Sequence, residues 1–245
     1  MRHSETIVLA DAHLEALDQE LEHFLSFLHS CRTSGIQALY LLGDLFNIWI
    51  GTAAMELSHH LPVIEMLQTL REDGISLLYV EGNRDYFLAH RYLGFPFHEI
   101  AQEAAQRQFG QHSIYFSHGD LVNLHDRQYQ FWRRFSRNVF IFNAFTLLPK
   151  RFAVACVHHL ERSFRQSNQR HKSAFPHKSC QEYAQGLWDQ GYDTIVLGHF
   201  HEERVLPASS NHSGRQLITL PAWKDEHRYL SISAQGICAF HHFPD

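Results

Sequence analysis

Five short apolar runs recur along the 245-residue chain: Thr6–Ala10, Ala38–Leu42, Ser76–Val80, Ser113–Phe116 and Thr194–Leu197. Runs of four or five residues, rich in Leu, Ile and Val, predict buried β-strands. Between the first three lie stretches with apolar residues at helical spacing, Leu14–Thr33 and Thr52–Glu72. The second closes on Asp73-Gly74, where glycine is a natural helix stop. Alternating strands and helices with short connections predict a layered α/β core. Gln106–Ser113 reads as a hairpin turn around Gly110. Residues 125–175 then change texture. Tyr129, Trp132, Phe135, Val139, Phe142, Phe152, Ala155 and His159 recur at helical spacing, and Pro149 divides them into two pieces. They predict a helical insertion, too short for an independent domain, within a single domain over residues 1–245. The core resumes with a helix at Ser179–Gln190, the Thr194 strand, and short strands that end at Phe240–Pro244.

Each apolar run is followed by groups that can bind a metal. They are Asp11-Ala12-His13, Gly43-Asp44, Gly82-Asn83-Arg84-Asp85, His118-Gly119-Asp120 and Gly198-His199-Phe200-His201. Groups just past the carboxyl ends of sheet strands meet in space even when far apart in sequence. Here the donors would be the Asp11 and Asp44 carboxylates, the Asn83 amide oxygen and the imidazoles of His13, His118, His199 and His201. Mixed nitrogen and oxygen ligation suits Mn, Fe, Co or Zn, and lacks the all-oxygen set of a dedicated Ca site. Two cations roughly 3.5–4 Å apart would activate a shared water and clamp both oxygens of an in-line displacement. No serine elbow or phosphate-binding glycine loop signals another route.

The motif order D-x-H, G-D, G-N-x-D, H-G-D, G-H-x-H resembles the calcineurin-like metallophosphoesterases. Arg84 in the third motif, and the stretch Gly43-Asp-Leu-Phe-Asn-Ile-Trp-Ile-Gly51, narrow the resemblance to the UDP-2,3-diacylglucosamine hydrolases of lipid A biosynthesis. It runs from Ile7 to Pro244 and is loosest in residues 135–180. It implies a metallophosphoesterase fold, an α/β four-layer sandwich of two sheets flanked by helices with a helical lid. It implies a first metal held by Asp11, His13, Asp44 and His201, and a second held by Asp44, Asn83, His118 and His199. Two divalent cations are expected, Mn²⁺ foremost. Asn83, Arg84 and His118 are the implied catalytic residues, Asn83 and Arg84 meeting phosphoryl oxygens. Asp85 is expected to orient a neighbour such as a ligand imidazole, and Trp49 to wall the nucleotide or sugar pocket. In the lid, Tyr129 and Trp132 match aromatics, and Arg162 and Lys172 basic residues, near the substrate. The implied reaction is water attack on the α-phosphorus of a UDP-linked acylated glucosamine, releasing UMP and 2,3-diacylglucosamine 1-phosphate.

Net charge is −5, but its distribution is uneven. From Arg127 to Lys178 there are eleven Lys or Arg and one acid, Glu161, a net +10, while the rest carries ten basic and 25 acidic residues and nets −15. Such a block is either a solvated helix face, a surface for anionic lipid, or a nucleic-acid site. Interleaved Phe135, Phe140, Phe142, Phe145 and Leu147-Leu148 favour acyl chains over bases. An anionic membrane surface is therefore the expected partner, with no nucleic acid and no obligate protein partner. The expected location is cytoplasmic and peripheral, on the inner face of the inner membrane. No membrane-spanning run and no leader is read, and Cys31, Cys156, Cys180 and Cys238 read as reduced thiols. His59-His60, His158-His159 and His241-His242 read as solvated surface. Departures from the family pattern are Thr52-Ala53, Glu202-Glu203, Arg165 and Gln169. They leave open another phosphoesterase substrate, a soluble nucleotide or phosphoprotein; a non-catalytic scaffold would be expected to have lost ligands.

Overall fold

The computed structural model describes residues 5–244 apart from 17–18, 124–126, 148–150, 153–154, 158, 161–174 and 209–213, and omits the side chains of 127–130, 132, 141 and 145. The strands are β1 (Thr6–Leu9), β2 (Ala38–Leu41), β3 (Trp49–Ile50), β4 (Ser76–Val80), β5 (Asp85–Tyr86), β6 (Glu99–Ala101) and β7 (Ala104–Phe109). They continue with β8 (His112–Ser117), β9 (Thr194–Leu197), β10 (Arg204–Pro207), β11 (Gln216–Thr219), β12 (Arg228–Ile232) and β13 (Cys238–His242). One sheet has the order β13-β12-β1-β2-β4-β6, the other β10-β11-β9-β8-β7. Within the first, β1, β2, β4 and β6 run parallel; within the second, β8, β9 and β11 do.

The helices are α1 (Gln19–Ser34), α2 (His60–Glu72), α3 (Ala89–Tyr92), α4 (Arg127–Ser136), α5 (Val139–Thr146), α6 (His177–Asp189) and α7 (Trp223–Glu226). Side chains alternate across a strand, so each sheet has two faces to cover. Val8, Ala10, Tyr40, Leu42, Leu78 and Val80 of the first sheet pack on Ile114, Phe116, Val196 and Ile218 of the second. The alternate residues Ile7, Leu9, Leu39, Leu41, Leu77 and Tyr79 pack outward on Leu21, Phe24, Phe27 and Leu28 of α1 and Val63, Leu67 and Leu70 of α2. On the far side, Ile195, Leu197 and Leu217 meet Cys180, Ala184, Leu187 and Trp188 of α6. The layers run helix, sheet, sheet, helix, as expected for the α/β sandwich.

Two helices begin later than their periodicity predicts. Residues 11–14 are drawn into a loop, with the Leu14 amide donating to the Leu45 carbonyl at 2.9 Å, so α1, described from Gln19, does not begin at Leu14. The second helix starts at His60, not Thr52. Pro62 then falls in the first turn, where its missing N–H is unneeded; in a helix from Thr52 it would sit in the interior and break it. Before it, β3 pairs with β5, and Gly51 passes so close to Phe87 that a Cβ would lie 1.9 Å from the Phe87 carbonyl oxygen.

The described part of the 125–175 insertion is helical. The break between α4 and α5 falls at Asn138, whose side chain accepts from the Phe140 amide at 2.9 Å and caps α5. The predicted break at Pro149 lies outside the described residues. Phe142 anchors the insertion, stacked on Phe87 with centroids 4.3 Å apart and clustered with Ile50, Met55, Leu57 and Tyr86. The opposite face is open: Phe131 is 72% exposed, Phe140 79% and Leu147 84%. Among the described residues, no helix is long and apolar enough to cross a membrane.

Candidate metal centre

The parallel strands β1, β2 and β4 of one sheet, and β8 and β9 of the other, deliver all seven donor residues to one end of the sandwich. Just past the strand ends the backbone turns sharply. Asp11, His13, Asp44, His199 and His201 have φ between 44° and 70°, five of the seven non-glycine residues with positive φ among those described. That region costs a non-glycine residue about 1–3 kcal/mol and collects where function over-determines it. Here it turns side chains from adjacent strands toward one point. Interlocking amides hold the turns: Asp11 N donates to Gly43 O at 3.1 Å, and His13 N to Asp44 O at 3.0 Å. Gly43 and Gly82 are needed because the two loops touch. A Cβ on Gly82 would lie 2.3 Å from Asp44 Oδ1, and one on Gly43 2.6 Å from Gly82 Cα.

At one side of the site, His201 Nε2 lies 3.3 Å from Asp11 Oδ1 and 3.3 Å from His13 Nε2. At the other, Asn83 Oδ1 is 3.0 Å from both His118 Nε2 and His199 Nδ1, and His118 Nε2 is 3.8 Å from Asp44 Oδ1. Asp11, His13 and His201 form one candidate cation-binding triple; Asp11, Asp44 and His118 form another, with donor atoms within 4.8 Å. Asp11 belongs to both. The His118 Nδ1–H donates to the Leu42 carbonyl at 2.7 Å, which leaves Nε2 to face the site. In the neutral ring that lone pair points at the Asn83 oxygen, an acceptor meeting an acceptor, an arrangement that a proton on Nε2 or a cation between them relieves.

The buried carboxylates favour positive charge among the imidazoles, a charge that a bound cation would supply in place of a proton at His118. Burial disfavours the His118 imidazolium, but Asp44, Asp11 and Asp120 outweigh it and push its pKa up to about 9. Burial likewise works against the Asp11 carboxylate, yet His201, His118 and His13 hold its pKa well below the usual range. His13 and His199 go the other way, lowered by burial and by Arg84 and His118 respectively, and so are held as neutral ligands; His199 falls to about 4. The residues fit a divalent metal pair: two buried carboxylates, an amide oxygen and four imidazoles, of which His118 has its tautomer fixed by the Leu42 carbonyl.

Arg84 is 5% exposed and reaches back into the site, with Nε 3.3 Å from Asp44 Oδ2 and Nη1 donating to Asn47 Oδ1 at 3.3 Å. Asn47 in turn donates to Glu15, which also accepts from Lys224. Asp85 does orient neighbours, with one correction: they are not imidazoles. Its Oδ2 accepts from the amides of Asp44 (2.9 Å) and Gly82 (2.7 Å) and from the Tyr79 hydroxyl (2.8 Å). It therefore orients the backbone of two motif loops, not an imidazole. Burial and the Asp44 charge push its pKa up to about 7.

Trp49 is a second correction. It is fully buried on the outer face of the first sheet, against Phe46, Tyr79, Tyr92 and Phe97, and walls no open pocket. The apolar ring of β3 packs where that strand passes beneath α2 and α3. A third concerns His59 and His60, 7% and 1% exposed and packed on Phe46 rather than solvated. His241 and His242 are exposed as expected, and His158 lies outside the described residues. So do Arg162, Arg165, Gln169 and Lys172; Tyr129 and Trp132 lie on α4, their side chains undescribed. Glu202 pairs with Arg204, and Glu203 with Arg228 at 2.7 Å, so neither acid is spare beside His201. Sequence reasoning missed Tyr79, Asn47, Glu15 and Lys224. Asn47, Glu15 and Lys224 act through partners 32 or more residues away, and Tyr79, six residues before Asp85, sits in an apolar run that reads only as strand.

No family model matches the chain. Curated proteins named UDP-2,3-diacylglucosamine hydrolase do match it. One from Serratia proteamaculans is 27% identical over 95% of this chain and 96% of that protein. One from Pectobacterium carotovorum subsp. carotovorum is 29% identical over 95% of this chain and 96% of its own length. Among solved structures, a dimetal phosphatase from Danio rerio aligns over 100% of both chains with TM-score 0.49 and 11% identity. The resemblance carried by the five motifs is borne out: over about 95% of its length, this chain is similar to curated UDP-2,3-diacylglucosamine hydrolases.

Proposed function

We propose that the protein is a metal-dependent pyrophosphohydrolase that cleaves UDP-2,3-diacylglucosamine to UMP and 2,3-diacylglucosamine 1-phosphate. The observation that carries this reading is the convergence of seven donor residues, spread over 190 residues of chain, in a protein similar end to end to hydrolases of that name. Asp11, His13, Asp44 and His201 would hold one cation, and Asp44, Asn83, His118 and His199 the other, with Mn²⁺ foremost among the candidates. Cations bound there would lower the pKa of a water and neutralise charge on the attacking and leaving oxygens. The Arg84 fork and the Asn83 amide would orient the phosphoryl oxygens, and the buried surroundings would strengthen each contact by excluding water. We assign Tyr129, Trp132, Arg162 and Lys172 to the acylated glucosamine. Since Glu202 and Glu203 are already paired with arginines, they give no support for another substrate.

The test is UMP release from the substrate in detergent micelles, with Mn²⁺ and with EDTA. Metal-dependent release is expected, and EDTA abolishes it. Hydrolysis of bis(p-nitrophenyl) phosphate without any UMP release would overturn the substrate assignment.

The outward face of α4 and α5 supports a peripheral location on the cytoplasmic face of the inner membrane. Phe131, Phe135, Val139, Phe140 and Leu147 are exposed there, with Arg151 and Phe152 beyond. Apolar and basic groups together suit an anionic bilayer. Phe140→Asp is expected to reduce co-sedimentation with phosphatidylglycerol vesicles at least threefold; binding equal to wild type would refute this surface.

A further inference from the structure

Among the described residues of the basic block, two cations do not face outward. Arg133 and Arg137, one helical turn apart at the end of α4, have side chains only 13% and 14% exposed. Arg133 holds Asp120 and Glu103, with Nε 3.3 Å from Asp120 Oδ2 and Nη1 3.2 Å from Glu103 Oε1. Arg137 reaches further in. Its Nη2 donates to the Gly82 carbonyl at 2.7 Å and to the Asp85 carbonyl at 3.3 Å. Its Nη1 donates to the Gln102 carbonyl at 3.1 Å and lies 3.3 Å from Glu81 Oε2.

The two carbonyls gripped by Nη2 bracket Asn83 and Arg84. Asp85 holds the same loop from inside, through the Gly82 and Asp44 amides. The loop is thus fixed on both sides, and one side is a guanidinium supplied by the helical insertion. A planar fork can serve several acceptors at fixed angles, which a lysine ammonium cannot reproduce.

We propose that Arg137 is a positioning residue: by clamping the Gly82 and Asp85 carbonyls it sets the Asn83 amide oxygen and the Arg84 guanidinium, so that the seating of α4 on the core governs metal binding at Asn83. The proposal rests on the metallohydrolase reading above. It predicts a sign opposite to that of charge alone. Removing a cation beside a cation-binding site relieves repulsion and should tighten metal binding. Removing a positioning group should weaken it, by about 10–100-fold for partners that orient a ligand.

The experiment compares full-length wild type, Arg137→Ala, Arg137→Lys and Arg134→Ala, the last an exposed arginine on the same helix. Mn²⁺ affinity and stoichiometry are measured by equilibrium dialysis, with kcat and KM for bis(p-nitrophenyl) phosphate alongside. Arg137→Ala and Arg137→Lys should both weaken one of two Mn²⁺ ions about tenfold or more. Their kcat should fall while KM changes little, and methylguanidinium should restore part of the Arg137→Ala loss. Arg134→Ala should match wild type in both measurements. Mn²⁺ binding unchanged or tighter in Arg137→Ala, or restored to wild type by Arg137→Lys, would overturn the proposal. Failure of the wild type to release UMP would sink the substrate reading alone, since Mn²⁺ affinities still decide the role of Arg137.

Discussion

His118→Ala is expected to lower metal-dependent hydrolysis by more than about a hundredfold while the protein remains folded. Loss of a group that merely orients a metal ligand costs 10–100-fold, so loss of a direct donor should exceed that range. The geometry makes His118 hard to replace. Its Nδ1–H is committed to the Leu42 carbonyl, and its Nε2 lies between Asn83 Oδ1 at 3.0 Å and Asp44 Oδ1 at 3.8 Å. Folding is affected less, because the ring is not part of the apolar clusters between layers. The exception is the Leu42 carbonyl, whose lost partner costs about 1–3 kcal/mol if water does not replace it. Steady-state kinetics with saturating Mn²⁺, together with a thermal unfolding curve, separate the two effects. Turnover within tenfold of wild type would exclude His118 as a ligand.

Trp49→Ala is expected to act in the opposite way, on stability and not on the site. Removing a large core aromatic costs about 3–5 kcal/mol, partly through the cavity it leaves. For a chain of this length that lowers the unfolding midpoint by about 6–20 °C. The Trp49 ring lies edge-on to Phe46 at 5.1 Å and to Tyr79 at 5.4 Å, and 4.7 Å from Tyr92. Tyr79 also supports Asp85 from the same face of the sheet. At temperatures where the variant is folded, KM for the nucleotide-sugar substrate should stay within about twofold of wild type. A raised KM with an unchanged midpoint would restore Trp49 to the pocket wall.

These contrasting outcomes reflect what kind of information each residue carries. Strands β1, β2, β4, β8 and β9 and the donors that follow them were legible in the chain. An uninterrupted apolar run is a local property, and so is a Gly-Asp or Asp-x-His turn that ends it. Parallel strands with ligands past their carboxyl ends then leave those ligands one place to meet. The hairpin at Gly110, with φ +58°, was legible for the same reason. The starts of α1 and α2 were not read correctly, although Pro62 held a usable signal for α2.

What remained was decided by contacts between residues far apart in sequence. Local sequence leaves the surroundings of Trp49, His59 and His60 open, and they are buried only by the packing of Trp49 on Tyr92 of α3 and of both imidazoles on Phe46. Composition shows a basic block of eleven cations, but only the docking of α4 separates Arg133 and Arg137, turned inward onto Asp120 and the Gly82 loop, from the arginines left outside. An acid next to a ligand motif announces a supporting role; that Asp85 grips backbone amides rather than an imidazole follows from the close approach of Gly43 to Gly82. The chain by itself therefore determined the donors and the strands that carry them, because both are written in consecutive residues. The tertiary structure decided which neighbours hold those donors in place, because a hydrogen bond across 40 or more residues exists only once the layers have packed.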